Sequence, residues 1–512
     1  MKIKLSSGAR GISVLGILLA TCLMLFAEAA SAVPYYSRRH GVECSTCHTM
    51  WGALNGAGVT YRLSGYRAIF GKDVKLVSDD IEISKGVTMP TTLPLSFITG
   101  VGLDSRSETR TDSATGKSTT AKTNSLALED ASIFMTAPIG QHLSAFVEFP
   151  MYETKAWEFT PLGRAEANNP PAGRNLKFTA ESPAFEVAKF WWNNLFGDAM
   201  PRDSVNLLAG ITHLPLGYAS GKVRLSVNQY LIYERRALDL ISPKKVSAML
   251  GDADEYAFRL GEPQVMAEVN GMLTFGKPVT DTAKRDTFWA EYHLGVTNGT
   301  NGKTDNNTDK DIYGRWVMRY YNQSLGFFAY HSADQYDDTM RANAINTGPL
   351  GTGIMSGKPD ANRSSRMGID ATLSLLPTGV PLWLENQYMS NNESNPTGYG
   401  KEFKWKGGFH QLNYQPNKTN IVYARYDWIK GDNINDKGVI FNGIAGVTNS
   451  TPKENDFIVG WQHLVDQNVK MIAEYRRHTF EDKATDNNVL TPQPYAAKLT
   501  DNGFTLRVMY GF

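Results

Sequence analysis

The sequence predicts an all-β protein: a transmembrane antiparallel β-barrel of about 16 strands with a small N-terminal α-helical module. Three observations predict this fold. Apolar and polar residues alternate with a period of two after about residue 90, which is typical of half-buried strands. Short turns alternate with long polar loops along the same stretch. After residue 33 no run of 18 apolar residues occurs, so spanning helices do not account for the length of 512 residues.

The alternation of apolar and polar residues is clearest in five segments. They are 93–103, 142–151, 288–297, 469–476 and 504–512. A strand of about 10 residues is long enough to cross a bilayer when it is tilted. The last segment ends at Phe512 and resembles the terminal signal that bacterial outer-membrane proteins present to their assembly machinery.

The predicted connections fall into two length classes. Short turns are predicted at 138–141, 196–203, 276–285, 322–324, 377–379, 416–418 and 466–467. Long loops are predicted near 105–122, 153–182, 215–262, 298–311, 335–363, 391–401, 430–453 and 481–499. Outer-membrane barrels have short periplasmic turns and long outside loops. We therefore expect a protein of the outer membrane of a Gram-negative bacterium, with both termini in the periplasm.

The first 32 residues read as a secretory signal peptide. Lys2, Lys4 and Arg10 form a positive region, an apolar run follows at 12–26, and Ala30-Ser31-Ala32 is a cleavage site. We expect the mature chain to start at Val33 and to lack the third cysteine at position 22.

The chain has 52 basic and 51 acidic residues, so it lacks the excess of positive charge that is typical of nucleic-acid binding.

Cys44-Ser45-Thr46-Cys47-His48 reads C-x-x-C-H, the pattern for covalent attachment of a c-type haem. Thiols three positions apart form thioethers to the two vinyl groups of one porphyrin, and the adjacent histidine is the proximal iron ligand. We therefore predict one covalently bound haem c on Cys44, Cys47 and His48. The haem module would span 33–90 and the barrel 91–512. Because 33–90 is too short to bury a porphyrin alone, we expect the module to plug the lumen.

The cysteine pair has two alternative interpretations, a disulfide and a zinc site. Cys44 and Cys47 could form a single disulfide in a secreted chain, but His48 directly after them favours haem. A zinc site is disfavoured because no second C-x-x-C or close histidine pair supplies four ligands.

The segment from Pro34 to His48, with Leu54-Asn55 and Gly65-Tyr66 downstream, resembles the head of the fused monohaem cytochrome–porin family, typified by outer-membrane iron(II) oxidases of iron-oxidising bacteria. The detailed match covers about 35 residues, and over the barrel only the architecture is similar. The resemblance implies electron transfer from extracellular Fe(II), or another reduced donor, to a periplasmic c-type cytochrome. The chain departs from the family at Trp51-Gly52-Ala53, where a proline is usual, and at Gly56-Ala57-Gly58, which is often Phe-Gly-Arg. These departures leave the donor open.

The second axial ligand of the iron is less well defined by the sequence. Met89 has the reach to be this metal ligand, and a thioether would raise the redox potential. The alternative is that Met89 packs where the module joins the barrel. His40 and His293 are further candidates, whereas Met50 lies too close to His48 to reach the opposite haem face.

Strand phase assigns a set of charged side chains to the lumen. They are Glu148, Glu268, Glu291, Asp370, Glu385, Asp427 and Glu474, with Arg315, Arg319, Arg425, Lys470, Arg476 and Arg507. The carboxylates are suitable ligands for Fe(II), but a mixed ion-pair lining that clasps the plug is the favoured interpretation. The arginines could alternatively hold haem propionates. We expect Trp51, Tyr61 and Tyr66 to pack on the porphyrin.

Three functions are compatible with these patterns. The first is an outer-membrane electron-transfer protein, an oxidoreductase of the iron(II) oxidase type. The second is a diffusion porin with a haem-containing sensor or structural plug. The third is a soluble β protein with one disulfide. The sequence has no Ser-His-Asp arrangement, phosphate-binding glycine loop or H-E-x-x-H motif that would indicate another enzyme class.

Overall fold

The computed structural model of the chain is a closed antiparallel barrel of 16 strands. It describes residues 35–51, 53–69, 72–76, 80–85, 87–89, 91–112, 116–153, 185–218, 224–241, 258–275, 288–301, 308–332, 362–394, 396, 402–432, 447–448, 451–482, 485–486 and 496–511. The barrel strands β1 to β16 are Leu95–Asp112, Ser118–Ile139, Leu143–Glu153, Val187–Trp192, Asn206–Thr212, Gln264–Phe275, Phe288–Thr297, Asp311–Tyr320, Gln323–Ser332, Ser364–Ser374, Leu382–Glu393, Phe403–Asn417, Asn420–Gly431, Lys453–Asp466, Val469–Glu481 and Ala496–Gly511.

Each strand pairs with its neighbours in the chain, and the barrel closes where β16 pairs with β1, from Gly511 opposite Ile98 to Ala496 opposite Asp112. This arrangement confirms the predicted strand number. The strands are joined at one end by short turns, such as those at 321–322, 418–419 and 467–468. We call this the short-turn end. The first strand begins there and the last strand ends there, as predicted for the periplasmic side.

The alternation along each strand separates a polar inner face from an apolar outer face. In β14, Glu454, Asp456 and Gln462 are buried toward the lumen, whereas Phe457 and Val459 on the outer face are exposed. A soluble protein would have the opposite arrangement. A closed barrel satisfies every backbone hydrogen bond without an edge, and an outer apolar face suits lipid. The protein is therefore an outer-membrane barrel.

The described residues between 35 and 89 form what we call the N-terminal segment. It contains two helices, α1 at Tyr35–His40 and α2 at Gly56–Leu63. It also contains three short strand pairs: His48–Met50 with Ala53–Leu54, Ala68–Ile69 with Lys72–Asp73, and Ile81–Ser84 with Val87–Met89. The predicted α-helical module is therefore helical only in part, because His48–Met50 and Ala53–Leu54 form a strand pair and not a helix.

The hairpin of β1 and β2 replaces a predicted loop. The sequence at 105–122 is rich in serine and threonine and was expected to be irregular, but β1 continues to Asp112 and β2 begins at Ser118. Cross-strand hydroxyl pairs, Thr109 with Thr120 and Thr111 with Ser118, each lie 2.9 Å apart. Such pairs stabilise neighbouring strands. The polar alternation therefore extends the barrel wall beyond the apolar band.

The connection between β5 and β6 was predicted as an outside loop at 215–262. Its described residues, 213–218, 224–241 and 258–263, instead lie inside the barrel, and we call them the lumen insert. It contains helices α3 at Leu231–Glu234 and α4 at Ala237–Ile241. Tyr230, Leu231, Ile232 and Tyr233 are completely buried. These apolar side chains pack inward because burial removes their surface from water.

The predicted signal peptide at 1–32 and most of the predicted outer loops fall outside the described residues. Among the described helices, none is long and apolar enough to cross a membrane.

Candidate functional site

The C-x-x-C-H sequence forms a single helical turn at the short-turn end. Cys44–Thr46 is one turn of 3₁₀-helix, closed by hydrogen bonds from Thr46 N to Glu43 O at 3.0 Å and from Cys47 N to Cys44 O at 3.2 Å. In a 3₁₀ turn, side chains three positions apart lie over one another. Both thiols therefore project on the same side, and neither is in a disulfide. This is the arrangement that attachment to two vinyl groups of one porphyrin requires.

His48 follows the turn and has the form that ligates iron. Burial is the main cause that lowers the pKa of His48 to about 4, and the nearby Lys470 charge contributes to the shift. The imidazole is therefore neutral at physiological pH, which is the ligating state. Its Nδ1 atom is buried without a hydrogen-bond partner among the described residues. The donor set of this site, two free thiols and a neutral imidazole, fits a c-type haem.

The thiols do not have the environment of a catalytic nucleophile. Burial raises the pKa of Cys47 to about 11, and burial also raises the pKa of Cys44. Reactive cysteines have the opposite shift, because the thiolate is the nucleophile. The environment of this pair therefore differs from that of a reactive, low-pKa cysteine.

Asn55 holds the back of the Cys44–Cys47 turn. Its Nδ2 donates to Thr46 O at 3.1 Å and to Ser45 O at 3.3 Å. Its Oδ1 accepts from Gly58 N at 3.0 Å, which caps the start of α2. A Cβ atom at Gly58 would lie 2.1 Å from Cys47 O, so only glycine lets the helix approach the turn this closely.

The N-terminal segment is docked inside the short-turn end by hydrogen bonds to the wall. The wall side chains donate to its backbone carbonyls: Lys470 Nζ to Trp51 O at 2.9 Å, Gln415 Nε2 to Thr49 O at 2.8 Å, and Asn206 Nδ2 to Leu63 O at 3.3 Å. In the other direction, Tyr35 N donates to Ser96 Oγ at 2.8 Å and Arg67 Nη1 to Gly140 O at 2.8 Å. The contacts involve widely separated strands, so the segment fills the end of the barrel.

An aromatic cluster anchors α1 and α2 to the wall. Tyr66 stacks on Tyr36 with ring centroids 4.7 Å apart, and it meets Trp191 of β4 edge-on at 5.3 Å. Tyr61 packs edge-on against both tyrosines. Tyr36 also forms a hydrogen bond with Thr136 of β2. The expectation that Tyr61 and Tyr66 pack on a porphyrin remains a prediction, and the structure assigns them a docking role.

The candidates for a second axial ligand differ in their surroundings. His40 uses both ring nitrogens, Nε2 with Tyr61 Oη at 2.6 Å and Nδ1 with Lys75 O at 3.1 Å. Met50 is buried in the lumen core beside Tyr423 and Ile458. His293 is bonded to Glu268 at 2.8 Å.

Met89 lies in the short strand Val87–Met89, paired with Ile81. The side chain of Met89 lies outside the described part of the chain. Met89 as a metal ligand remains a prediction.

The lumen insert is joined to the wall by buried polar contacts. Arg425 of β13 donates to Asn228 O at 3.0 Å and to Gln229 O at 2.9 Å, and its guanidinium lies 4.1 Å from the Tyr230 ring centroid. Tyr230 Oη donates to Gln411 at 3.0 Å. The insert therefore has a fixed position in the lumen.

Ion pairs between wall strands account for many of the predicted lumen charges. Pairs between strands include Arg315 with Asp370 at 2.8 Å, Arg319 with Glu291 at 3.0 Å and Arg476 with Asp456 at 2.8 Å. Within β13, Arg425 and Asp427 are 2.9 Å apart. The favoured interpretation, a mixed ion-pair lining, agrees with this geometry. Within the described residues, no group of three histidine, cysteine or acidic side chains is placed to hold a metal ion.

Sequence reasoning missed the residues that position the turn. Asn55 was noted only within the family resemblance, although an asparagine before a helix start is a recognisable cap. Lys470 was assigned to the lumen by strand phase, but no pattern indicated its contact with Trp51. Gln415 lies at the end of a strand and carried no signal.

No protein-family model and no curated protein sequence matches the chain. Solved outer-membrane structures are similar to it at low identity. An anion-selective porin from Comamonas acidovorans is 11% identical with a TM-score of 0.45, covering 82% of this chain and 98% of the porin. OmpT of Vibrio cholerae is 9% identical with a TM-score of 0.40, covering 85% and 100%. The channel DcaP of Acinetobacter baumannii is 9% identical with a TM-score of 0.40, covering 81% and 97%. At these values the similarities carry no conclusion about function.

Proposed function

We propose that this protein is an outer-membrane electron-transfer protein that oxidises an extracellular donor, Fe(II), at a single covalently bound haem c and passes the electron to a periplasmic cytochrome. One observation carries the proposal. The C-x-x-C-H turn presents two free thiols and a neutral imidazole at the short-turn end of a membrane barrel. The choice of Fe(II) rests on the family resemblance of the N-terminal sequence.

The chain's own residues would bind and orient the cofactor. Cys44 and Cys47 would form the thioethers and His48 would be the proximal ligand, with Met89 as the proposed second ligand. A bound haem supplies a one-electron redox centre. Asn55 and Gly58 keep the turn against α2, so the thiols and the imidazole are presented from a fixed backbone.

The site is open to the periplasm at the short-turn end, and on its lumen side it is buried by the interior of the barrel. Glu43, Ser45 and Thr46 are exposed at the short-turn end, so a periplasmic carrier can approach the turn from that side. Toward the lumen, Cys47 packs against the aromatic core that continues into the lumen insert. The apolar band of such a barrel is about 25 Å tall and separates the two compartments. The barrel would insulate one redox site in a membrane.

Stopped-flow spectroscopy of the purified protein tests this function. We expect a c-type absorption spectrum and reduction of the oxidised protein by Fe(II) at its working pH. The matched control is the double change Cys44→Ala, Cys47→Ala, which should lack covalent haem and show no Fe(II)-dependent spectral change. A c-type spectrum that Fe(II) never reduces would contradict Fe(II) as the donor.

The second candidate is a diffusion porin whose N-terminal segment is a haem-containing sensor or structural plug. The polar inner face of the barrel favours it, because porin-type barrels have a polar interior. It predicts ion conductance in planar bilayers that survives the double cysteine change. The electron-transfer proposal expects the docked segment and the lumen insert to keep conductance low in both proteins.

A further inference from the structure

The turn that follows His48 is held by a cation from the barrel wall. His48–Met50 pairs with Ala53–Leu54, and the turn between them begins at Trp51. Lys470 of β15 donates from Nζ to Trp51 O at 2.9 Å. The same ammonium lies 5.2 Å from the centroid of the Trp51 ring, within the range of a cation–π contact.

The Trp51 ring is also confined on another side. A Cβ atom at Gly511 would lie 2.8 Å from the ring, so the last barrel strand packs directly on it. Lys470 itself is only 6% exposed. A buried charge acts over a longer range than an exposed one, because the surrounding dielectric is low and salt screens it less. The charge and the hairpin that begins at His48 are therefore fixed relative to each other.

We propose that Lys470 is a positioning residue that also raises the redox potential of the site, by holding a positive charge beside the hairpin that carries His48. The inference rests on the proposed function, since it concerns a haem held by His48. Reduction lowers the charge at the iron by one, and a nearby cation favours the reduced state. Surrounding groups of this kind tune the potential of a metal site without contacting the metal.

The test compares two substitutions that keep a hydrogen-bond donor for Trp51 O. Lys470→Gln removes the charge and Lys470→Arg retains it. Potentiometric titration of the purified full-length proteins should give a lower midpoint potential for Lys470→Gln and a nearly unchanged one for Lys470→Arg. Lys404→Gln is the control, because Lys404 is 52% exposed at the opposite end of the barrel and pairs with Glu402. Its midpoint potential should equal that of the wild type.

A second variant tests the same idea in the opposite direction. Gln415 donates to Thr49 O, next to His48, at 2.8 Å. Gln415→Lys can keep this hydrogen bond while it adds a charge, so its midpoint potential should rise. This variant decides the question even where Lys470→Gln does not assemble.

The outcomes separate this inference from the proposed function. Wild-type protein without covalent haem would contradict the proposed function itself. Covalent haem with equal midpoint potentials in the wild type, Lys470→Gln and Gln415→Lys would overturn the role of Lys470 and leave electron transfer intact. Equal decreases of the midpoint potential in Lys470→Gln and Lys470→Arg would assign Lys470 a packing role only, which also overturns the proposal.

Discussion

The barrel wall and the two segments inside it are held by different kinds of interaction. Neighbouring wall strands are joined by long backbone ladders, such as the 12 consecutive pairs between β14 and β15 from Lys453 opposite Glu481 to Leu464 opposite Lys470. The N-terminal segment and the lumen insert contact the wall through individual side chains, including Lys470, Gln415 and Arg425. The wall therefore depends on a repeating pattern, whereas each internal segment depends on a few specific partners.

This difference determines where a single substitution should have a large effect. A ladder distributes its energy over many equivalent bonds, and one side chain contributes little to it. A buried charge that fixes an internal segment has few substitutes, and its loss leaves polar groups without partners. The following expectations test this contrast, from the largest effect to the smallest.

Arg425→Met should loosen the lumen insert most strongly. The substitution removes the hydrogen bonds to Asn228 O and Gln229 O and leaves Asp427 buried without its ion-pair partner. Breaking a buried pair in this way costs about 3–5 kcal/mol. Denaturant unfolding in detergent should show the loss, and bilayer recordings should show increased conductance. Arg477→Met, on the exposed outer face of β15, should change neither measurement.

Ile369→Arg should destabilise the wall because it places a charge against lipid, and not because it removes a contact within the protein. Ile369 is at the middle of β10 and is 41% exposed on the outer face. Arginine facing lipid near the bilayer midplane costs about 2–4 kcal/mol, and near the interface about 0–1 kcal/mol. Leu373→Arg, on the same face near the short-turn end, should therefore cost less. Equal losses for both variants in unfolding from lipid vesicles would argue against the difference in membrane depth assigned to these two positions.

Gly58→Ala should displace the Cys44–Cys47 turn. The new methyl group would meet Cys47 O at 2.1 Å, and overpacking of this kind costs about 1–3 kcal/mol. We expect a smaller fraction of purified chains to carry covalent haem, as measured by the pyridine haemochrome spectrum. Gly217→Ala is the matched control, because a Cβ atom there has no neighbour within 4 Å. Full haem content in Gly58→Ala would contradict the close packing of α2 on the turn.

Lowering the pH should modestly reduce the stability of the folded N-terminal segment, because His40 becomes protonated more readily in the unfolded segment. Burial is the largest cause of the lowered pKa of His40, so the unfolded segment binds a proton more readily than the folded one. The stabilising contribution is present above the ordinary histidine pKa of about 6.5 and decreases as the pH falls through it. The protection factors of the amides in α1 and α2, which correct for the slower intrinsic hydrogen exchange in acid, should decrease on acidification. His40→Phe should remove this particular pH dependence, and persistence of the full dependence would assign it to another group.

The sequence predicted the wall better than its contents, for a physical reason. A period of two specifies which face of a strand meets lipid, so Glu474 and Lys470 could be assigned to the lumen without coordinates. The hairpin at 105–122 was missed because hydroxyl pairs can continue a ladder without apolar residues.

The lumen insert was missed because a long connection without periodic alternation does not indicate whether it lies inside or outside the barrel. The C-x-x-C-H residues were recognisable because thioether chemistry fixes their spacing. Their supporting contacts, such as Gln415 with Thr49, join residues 366 positions apart and follow only from the three-dimensional structure.

Electron transfer across a sealed membrane tests the central proposal most directly. The protein would be reconstituted into liposomes that contain oxidised cytochrome c, in the orientation that places the short-turn end inside, and Fe(II) would be added outside. We expect reduction of the enclosed cytochrome c with the wild type and none with the Cys44→Ala, Cys47→Ala variant. An enclosed cytochrome that stays oxidised with haem-loaded wild type, or is reduced equally by both proteins, would contradict the proposed function.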